Sequence, residues 1–326
     1  MGPISFCIGI EIELLVELKS PLPGRDPRNR RPPDYNDVFS ALQKWLSRSN
    51  IEAVVRTDEN MLLDYTQWVI QGDYSLYPKK NCYGIELASR VLFSDEEWQR
   101  EVETVWSVLK RRFEIKSDES CGTHVHISIK TGGDNECKPA MYNLDQLRKV
   151  SKSVVIYEDA VTELVPESRK SCSYCTSNIC VPNTMLNDKY QLWKDHADGG
   201  IFSWIEGFSD ETTMVVNMSP LSRDAPEKQE APGFGGRYVS WNFTSLHKQG
   251  TIEFRRAPKS TSEDDTGMWV LFAMGFIAFG IRGESPEHHR WAPASLPELQ
   301  RATKFGGKEM CLSEASTEIL SVLYST

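Results

Sequence analysis

Apolar and polar positions alternate without a break along Phe6-Cys7-Ile8-Gly9-Ile10-Glu11-Ile12-Glu13-Leu14. At the two-residue period of a strand, Phe6, Ile8, Ile10, Ile12 and Leu14 share one face, and Cys7, Gly9, Glu11 and Glu13 share the other. Two carboxylates then stand on one side, roughly 6.5–7 Å apart along the backbone. Taken alone this is a half-buried strand with a polar solvent face. The same design recurs. Tyr83–Ala88 sets Ile85 and Leu87 against Gly84, Glu86 and Ala88, and Cys121–Ile129 sets Thr123, Val125, Ile127 and Ile129 against His124, His126 and Ser128. In Gly250–Arg255, Ile252 and Phe254 point inward while Glu253 and Arg255 share the opposite face, and with Tyr238–Phe243 the segment predicts a hairpin. Shorter strands are expected at Ile51–Val55 and Gln67–Ile70. The second runs into Gly72-Asp73-Tyr74-Ser75, either a plain turn or a carboxylate presented at the rim of a site.

Between the strands the period changes to that of helices. Asp37–Ser49 carries Val38, Ala41, Leu42, Trp45 and Leu46 at helical spacing. Ser94 and Glu97 read as a capping box for a helix burying Trp98, Val102, Val105, Leu109 and Phe113. Asn143–Leu164 and Leu186–His196 predict two more helices, and Pro297–Lys304 and Ser313–Leu323 two short ones. The apolar run Gly267–Ile281 falls short of the ~20 residues of a membrane span and predicts a core helix. The stretches 19–35 and 220–237, rich in Pro, Gly and charge, predict mobile surface loops, of which the second could serve as a lid. Cys172-x₂-Cys175-x₄-Cys180 lacks the second ligand pair usual in structural zinc sites.

Composition adds bounds. The chain has 326 residues, 40% hydrophobic, with net charge −9 and eight cysteines. That allows one large domain over 1–290 carrying the mobile loops, with a helical tail over 291–326 packed on it, or two intimately packed halves. The acidic balance argues against a nucleic-acid partner and suits a protein that gathers divalent cations. Neither a secretory signal nor a myristoylation pattern is present, and the cysteines do not form a disulfide scaffold, so a cytoplasmic setting without a membrane partner is expected. The expected fold class is α+β, a largely antiparallel sheet with the active site on one face and helices packed on the other.

If the polar strand faces are neighbours in one sheet, they concentrate Glu11, Glu13, Glu86, Glu253, His124, His126 and Arg255. So much negative charge calls for cations. Oxygen-rich sets with one or two imidazoles suit Mg²⁺ or Mn²⁺ better than zinc. An Arg two residues beyond a metal-type Glu suits an anion bridging to the metal, typically a phosphate. Walker and kinase-type glycine loops are absent, so a nucleotide would be held through metals on the sheet.

The segments GIEIEL, WVIQGDYSL, YGIELASRVL, CGTHVHIS and WNFTSLHKQGTIEFR occur in this order from Phe6 to Arg255. Together they resemble the putative amidoligase family, a branch of the carboxylate–amine ligases that include glutamine synthetase and glutamate–cysteine ligase. The resemblance implies a catalytic domain like theirs and a metal shell of Glu11, Glu13, Glu86, His124 and Glu253. It places His126, Arg255 and Arg169 near the phosphates of ATP. Asp73 and Ser75 fall on the amine side, with Asp73 binding or deprotonating the amine, and Asn242 and Arg90 on the substrate side. Arg90 stands where a Pro is common in the family. The implied reaction is ATP- and Mg²⁺-dependent, with Mn²⁺ also suitable. It joins a small-molecule or peptide carboxylate to an amine or ammonia through an acyl phosphate, with Glu253 and Arg255 acting at the transferring group. Two other readings use the same residues: a metal-dependent hydrolase, and a non-catalytic binder of a nucleotide or peptide.

Overall fold

The computed structural model describes residues 2–23, 32–58, 61–73, 75–76, 78, 81–131, 138–221, 236–283 and 292–325. Most of the two expected loops, at 24–31 and 222–235, lies outside the described residues. The fold is α+β, and its β-pairing is mixed and mostly antiparallel. The chain divides into two compact units, one made of Ile8–His124 with Pro258–Gly267, the other of Met1–Cys7, Val125–Ala257 and Met268–Thr326.

In the first unit the strands run in the order β2 (Ala53–Val55), β3 (Trp68–Gly72), β4 (Cys82–Ala88), β1 (Phe6–Leu18). The pair β2–β3 is parallel and the others antiparallel, with β5 (Leu92–Phe93) and β6 (Phe113–Ile115) also pairing β1. The register sets Glu13 opposite Glu86 and Gln71 opposite Glu86. Most of β1 is buried, Cys7 and Glu13 included, with Gly9, Glu11, Glu17 and Leu18 partly exposed. A strand covered on both faces keeps polar side chains only where partners satisfy them, which makes Glu13 a residue to account for.

Helix α1 (Tyr35–Ser47) starts two residues before the expected position because Asp34 caps it, its carboxylate accepting from Asp37 N at 2.8 Å. Its buried Val38, Leu42, Trp45 and Leu46 follow the predicted spacing, with Phe39 added. Helix α2 (Trp98–Arg112) departs from the Ser94/Glu97 box. Glu97 occupies the cap position without a side-chain cap bond, while Glu96 accepts from Phe93 N at 2.9 Å and pairs with Arg90 at 3.0 Å. The Glu96 carboxylate thus closes the turn before α2 rather than capping the helix. Phe113, expected on the helix, opens β6 instead.

In the second unit the order is β7 (Gly122–Thr131), β10 (Ile252–Pro258), β9 (Trp241–Asn242), with β8 (Lys138–Ala140) on β7. The expected hairpin is present with Glu253 opposite Asn242, but its connection contains a helical turn, α8 (Ser245–Gln249), ended by Gly250 at φ 68°. That left-handed position is one glycine occupies without penalty. Phe254 points away from the site into an aromatic cluster, 4.6 Å from Trp241 between ring centres, and Trp241 stacks on Phe276 at 4.5 Å. This packing fixes the strand that carries Glu253.

The helices of this unit are α3 (Leu144–Leu164), α4 (Glu167–Lys170), α5 (Met185–His196), α6 (Gly200–Glu206), α7 (Glu211–Met218), α9 (Glu263–Arg282), α10 (Leu296–Glu309) and α11 (Glu314–Val322), α9 beginning in the first unit's Pro258–Gly267 segment. A short 3-10 turn spans Asn178–Cys180. Helix α3 begins with a full capping box of Asn143 and Gln146. Helix α9 starts earlier than the apolar run and reaches 20 residues, long and apolar enough by composition to cross a membrane. Of its apolar window, 78% is buried within the protein, the pattern of a core helix. The C-terminal α10 packs on α9 through two glycines, and a Cβ added at Gly306 would lie 1.9 Å from the Gly275 carbonyl oxygen. Gly306→Ala must push the helices apart and is expected to cost about 1–3 kcal/mol or more. Thermal denaturation checks this, and an unchanged midpoint would contradict the close approach.

Candidate active site

The first group of candidate residues lies on β1, β4 and the start of β7. His124 Nδ1 is 3.0 Å from Glu11 Oε2, and its Nε2 is 3.5 Å from Glu13 Oε1. Glu13 Oε2 accepts from Gly122 N at 2.5 Å, so the first residue of β7 pins the carboxylate that β1 presents. Glu86, across the ladder from Glu13, accepts from Gln71 Nε2 at 2.6 Å, and Arg56 Nη1 in turn donates to Gln71 Oε1 at 3.1 Å. Burial raises the Glu86 carboxyl well above its ordinary value, and the charges of Glu11, Glu13 and Asp73 raise it further. Asp73 closes its own turn by accepting from Ser75 N at 2.7 Å. The turn reading and the rim-carboxylate reading of Gly72-Asp73 are therefore compatible.

Arg90, expected on the substrate side, spends its donors within the protein. It donates to both oxygens of Glu101, at 3.1 Å from Nε and 2.6 Å from Nη2, to Glu96 at 3.0 Å, and to the Val91 carbonyl. This guanidinium ties the end of β4 to the first turns of α2. Partial burial opposes its charge, but its hydrogen bonds to Glu101 and Glu96 raise the guanidinium pKa.

The second group lies on β7, β9 and β10. Both oxygens of Glu253 are held. Oε2 accepts from Asn242 Nδ2 at 2.7 Å and Ser245 Oγ at 3.0 Å, while Oε1 pairs with Arg255 and lies 3.6 Å from His126 Nε2. His126 Nδ1 meets Thr251 Oγ1 at 3.0 Å. Arg255 Nε donates to the Tyr174 carbonyl at 3.4 Å, with its guanidinium over the Tyr238 ring at 5.6 Å. Arg169 is buried, and its Nη2 donates to the Arg255 carbonyl at 2.6 Å. It holds the backbone of β10 directly. His124 and His126 are two residues apart on β7, so strand alternation turns both imidazoles to one side.

Four neighbours of these groups escape the sequence reading: Gln71, Thr251, Ser245 and Arg256. The last is the most consequential. It follows Arg255 on the apolar side of β10, 1% exposed, and its Nη1 donates to Glu158 Oε1 of α3 at 2.9 Å and to Thr162 Oγ1 at 2.7 Å. The signal was present, since the alternation that sends Ile252 and Phe254 inward sends Arg256 with them. Burial pushes the Glu158 carboxyl up to about 7, with Arg256 and the Ser177 and Ser240 hydroxyls opposing.

The model of the putative amidoligase enzyme family matches residues 5–197. The chain belongs to that family. Membership places it among ligase-type enzymes, and the matched span holds Glu11, Glu13, Asp73, Glu86, His124, His126 and Arg169. Asn242, Glu253 and Arg255 lie beyond it. No curated protein matches the chain.

Removing charge from the first group has a signed consequence. Because the folded pKa of Glu86 lies above the ordinary 4.5, the folded chain holds that proton more tightly than the unfolded one. This contribution to stability is complete below about 4.5 and is lost as pH rises through the folded value. In the presence of a chelator at neutral pH, Glu86→Gln is therefore expected to raise the melting midpoint by about 2 °C or more. A lowered midpoint would show that the carboxylates do not repel one another.

Proposed function

We propose that the protein is an ATP- and Mg²⁺-dependent carboxylate–amine ligase that forms an amide through an acyl phosphate, with Mn²⁺ able to replace Mg²⁺. The observation that carries this reading is the grouping of Glu11 and Glu13 about His124, at 3.0 and 3.5 Å, with Glu86 directly across the ladder from Glu13. Carboxylates placed in such mutual repulsion, with an imidazole between two of them, form a donor set suited to a hard divalent cation. In this reading Glu11, Glu13, Glu86, His124 and Glu253 hold the metal. When bound, the cation would neutralise charge on the phosphates and on the transferring phosphoryl group.

The remaining roles belong to the chain's own side chains. Arg255, oriented by Glu253 and the Tyr174 carbonyl, binds phosphate oxygens together with His126. Asn242 and Ser245 fix the Glu253 carboxylate. Arg169 acts as a positioning residue through the Arg255 carbonyl. Asp73 receives a proton from the incoming amine, with Ser75 beside it. Arg90 is assigned to anchoring α2. Phosphoryl transfer from ATP to the substrate carboxylate releases ADP, and attack by the amine on the acyl carbon then expels phosphate and leaves the amide.

Isothermal titration tests the binding half of this reading. ATP is expected to bind saturably when Mg²⁺ is present and to lose most of that affinity in EDTA. Absence of nucleotide binding under both conditions would reject it and leave the hydrolase reading to be tested.

A further inference from the structure

The Cys172-x₂-Cys175 turn lies next to the second group but takes no part in the roles above. It follows α4, and Cys175 N donates to the Cys172 carbonyl at 3.3 Å. A turn closed in that way keeps the two Cα atoms within about 7 Å, the span a disulfide can bridge. The two sulfurs differ in setting. Cys175 is fully buried, its thiol facing the Arg169 carbonyl at 3.7 Å. Cys172 is partly exposed, with Arg169 Nη1 4.0 Å from its sulfur. Arg169 cannot swing away, because the carbonyls of Arg255 and Arg256 hold the rest of its guanidinium at 2.6 and 3.5 Å.

The electrostatics agree with this geometry. The neighbouring Cys175 side chain, the Arg169 charge and the Tyr174 and Cys175 amides lower the Cys172 thiol to about 5, against burial. The neighbouring Cys172 side chain and burial push the Cys175 thiol far up, opposed by Arg169 and Arg256. This setting favours a thiolate at the partly exposed Cys172 and a thiol at the buried Cys175.

We propose that Cys172 and Cys175 form a thiol–disulfide exchange site, with Cys172 the attacking thiolate, Cys175 the resolving thiol, and a small organic disulfide as the oxidant. The Cys172 thiolate attacks one sulfur of the disulfide, forming a mixed disulfide and expelling one thiolate. Cys175 then loses its proton to that leaving group and attacks the Cys172 sulfur, expelling the second thiolate. The thiolate–thiol pair loses two electrons to become an intrachain disulfide, and the small disulfide is reduced to one thiol, which carries the Cys175 proton, and one thiolate, which takes a proton from water. The turn also carries the Tyr174 carbonyl that accepts from Arg255, so its redox state adjoins the residue paired with Glu253.

The test exposes the full chain to oxidised glutathione, alkylates the remaining thiols and maps them by peptide mass spectrometry, with exposed Cys180 and Cys311 as internal controls. Expected are a Cys172–Cys175 disulfide in the parent chain, a trapped glutathione adduct on Cys172 in Cys175→Ser, and an unreacted Cys175 in Cys172→Ser. At pH 6, Cys172 is expected to alkylate roughly 5–10-fold faster than the controls, after allowing for the lower nucleophilicity of a low-pKa thiolate. Reaction of Cys172 no faster than the controls would overturn the proposal. So would isolation of the protein with zinc that is released on alkylating Cys172 and Cys175.

Discussion

Glu13→Gln is expected to lower Mg²⁺-dependent ADP release by more than about 100-fold while leaving the circular dichroism spectrum unchanged. Glutamine keeps an acceptor for Gly122 N, the bond that fixes the side chain, and removes only the charge. Glu13 is 8% exposed, faces His124 and stands across the ladder from Glu86, so its charge is the most enclosed of the β1 pair. Groups that merely orient a metal ligand typically contribute 10–100-fold, and loss of the ligand charge should exceed that. Asn242→Ala, which removes an orienting bond from Glu253, should fall within the smaller range. Glu13→Gln with ADP release within tenfold of the parent would remove Glu13 from the metal shell.

Arg256→Ala is expected to destabilise the protein by about 3–5 kcal/mol at pH 8, the usual consequence of leaving a buried charge unpaired. Glu158 is 0% exposed and would lose the partner at 2.9 Å. The double replacement Glu158→Leu/Arg256→Met should recover most of the loss, because two apolar side chains need no partner. The pair also contributes a pH slope. The folded Glu158 carboxyl titrates near 7 against an ordinary 4.5, so its contribution is complete below 4.5 and fades as pH rises through 7. Urea denaturation from pH 5 to 8 should show stability falling over that window in the parent and a flatter profile in Glu158→Gln. A parent profile that rises over the same window would contradict the assignment.

The strands were legible because alternation is a local property. Glu11 and Glu13 lie on β1, Glu86 on β4, His124 and His126 on β7, and Glu253 and Arg255 on β10. The helix of residues 35–47 followed for the same reason, since its buried stripe repeats at helical spacing, and that of residues 144–164 showed the same period although it is buried on all sides from Val150 to Glu158. What the sequence did not disclose depends on side-chain partners that neither strand alternation nor helical spacing specifies. The place of Glu96 in the turn before α2 and the anchoring role of Arg90 arise from one ion-pair network that reaches Glu101 of α2. The orientation of Glu253 by Ser245 requires the helical turn that interrupts the expected hairpin. Arg256 was a visible anomaly on an apolar face, but its partner lies 98 residues earlier on another element.

Whether ATP drives amide formation is decided by the mass of the product. Purified protein is incubated with a small-metabolite extract and Mg²⁺, with and without ATP, and both ADP and metabolites are followed by mass spectrometry. The predicted result is a new species equal to an acid plus an amine less one water, appearing in step with ADP and only when ATP is present. Metabolites that gain a water and split, at the same rate without ATP, would contradict it and establish hydrolysis instead.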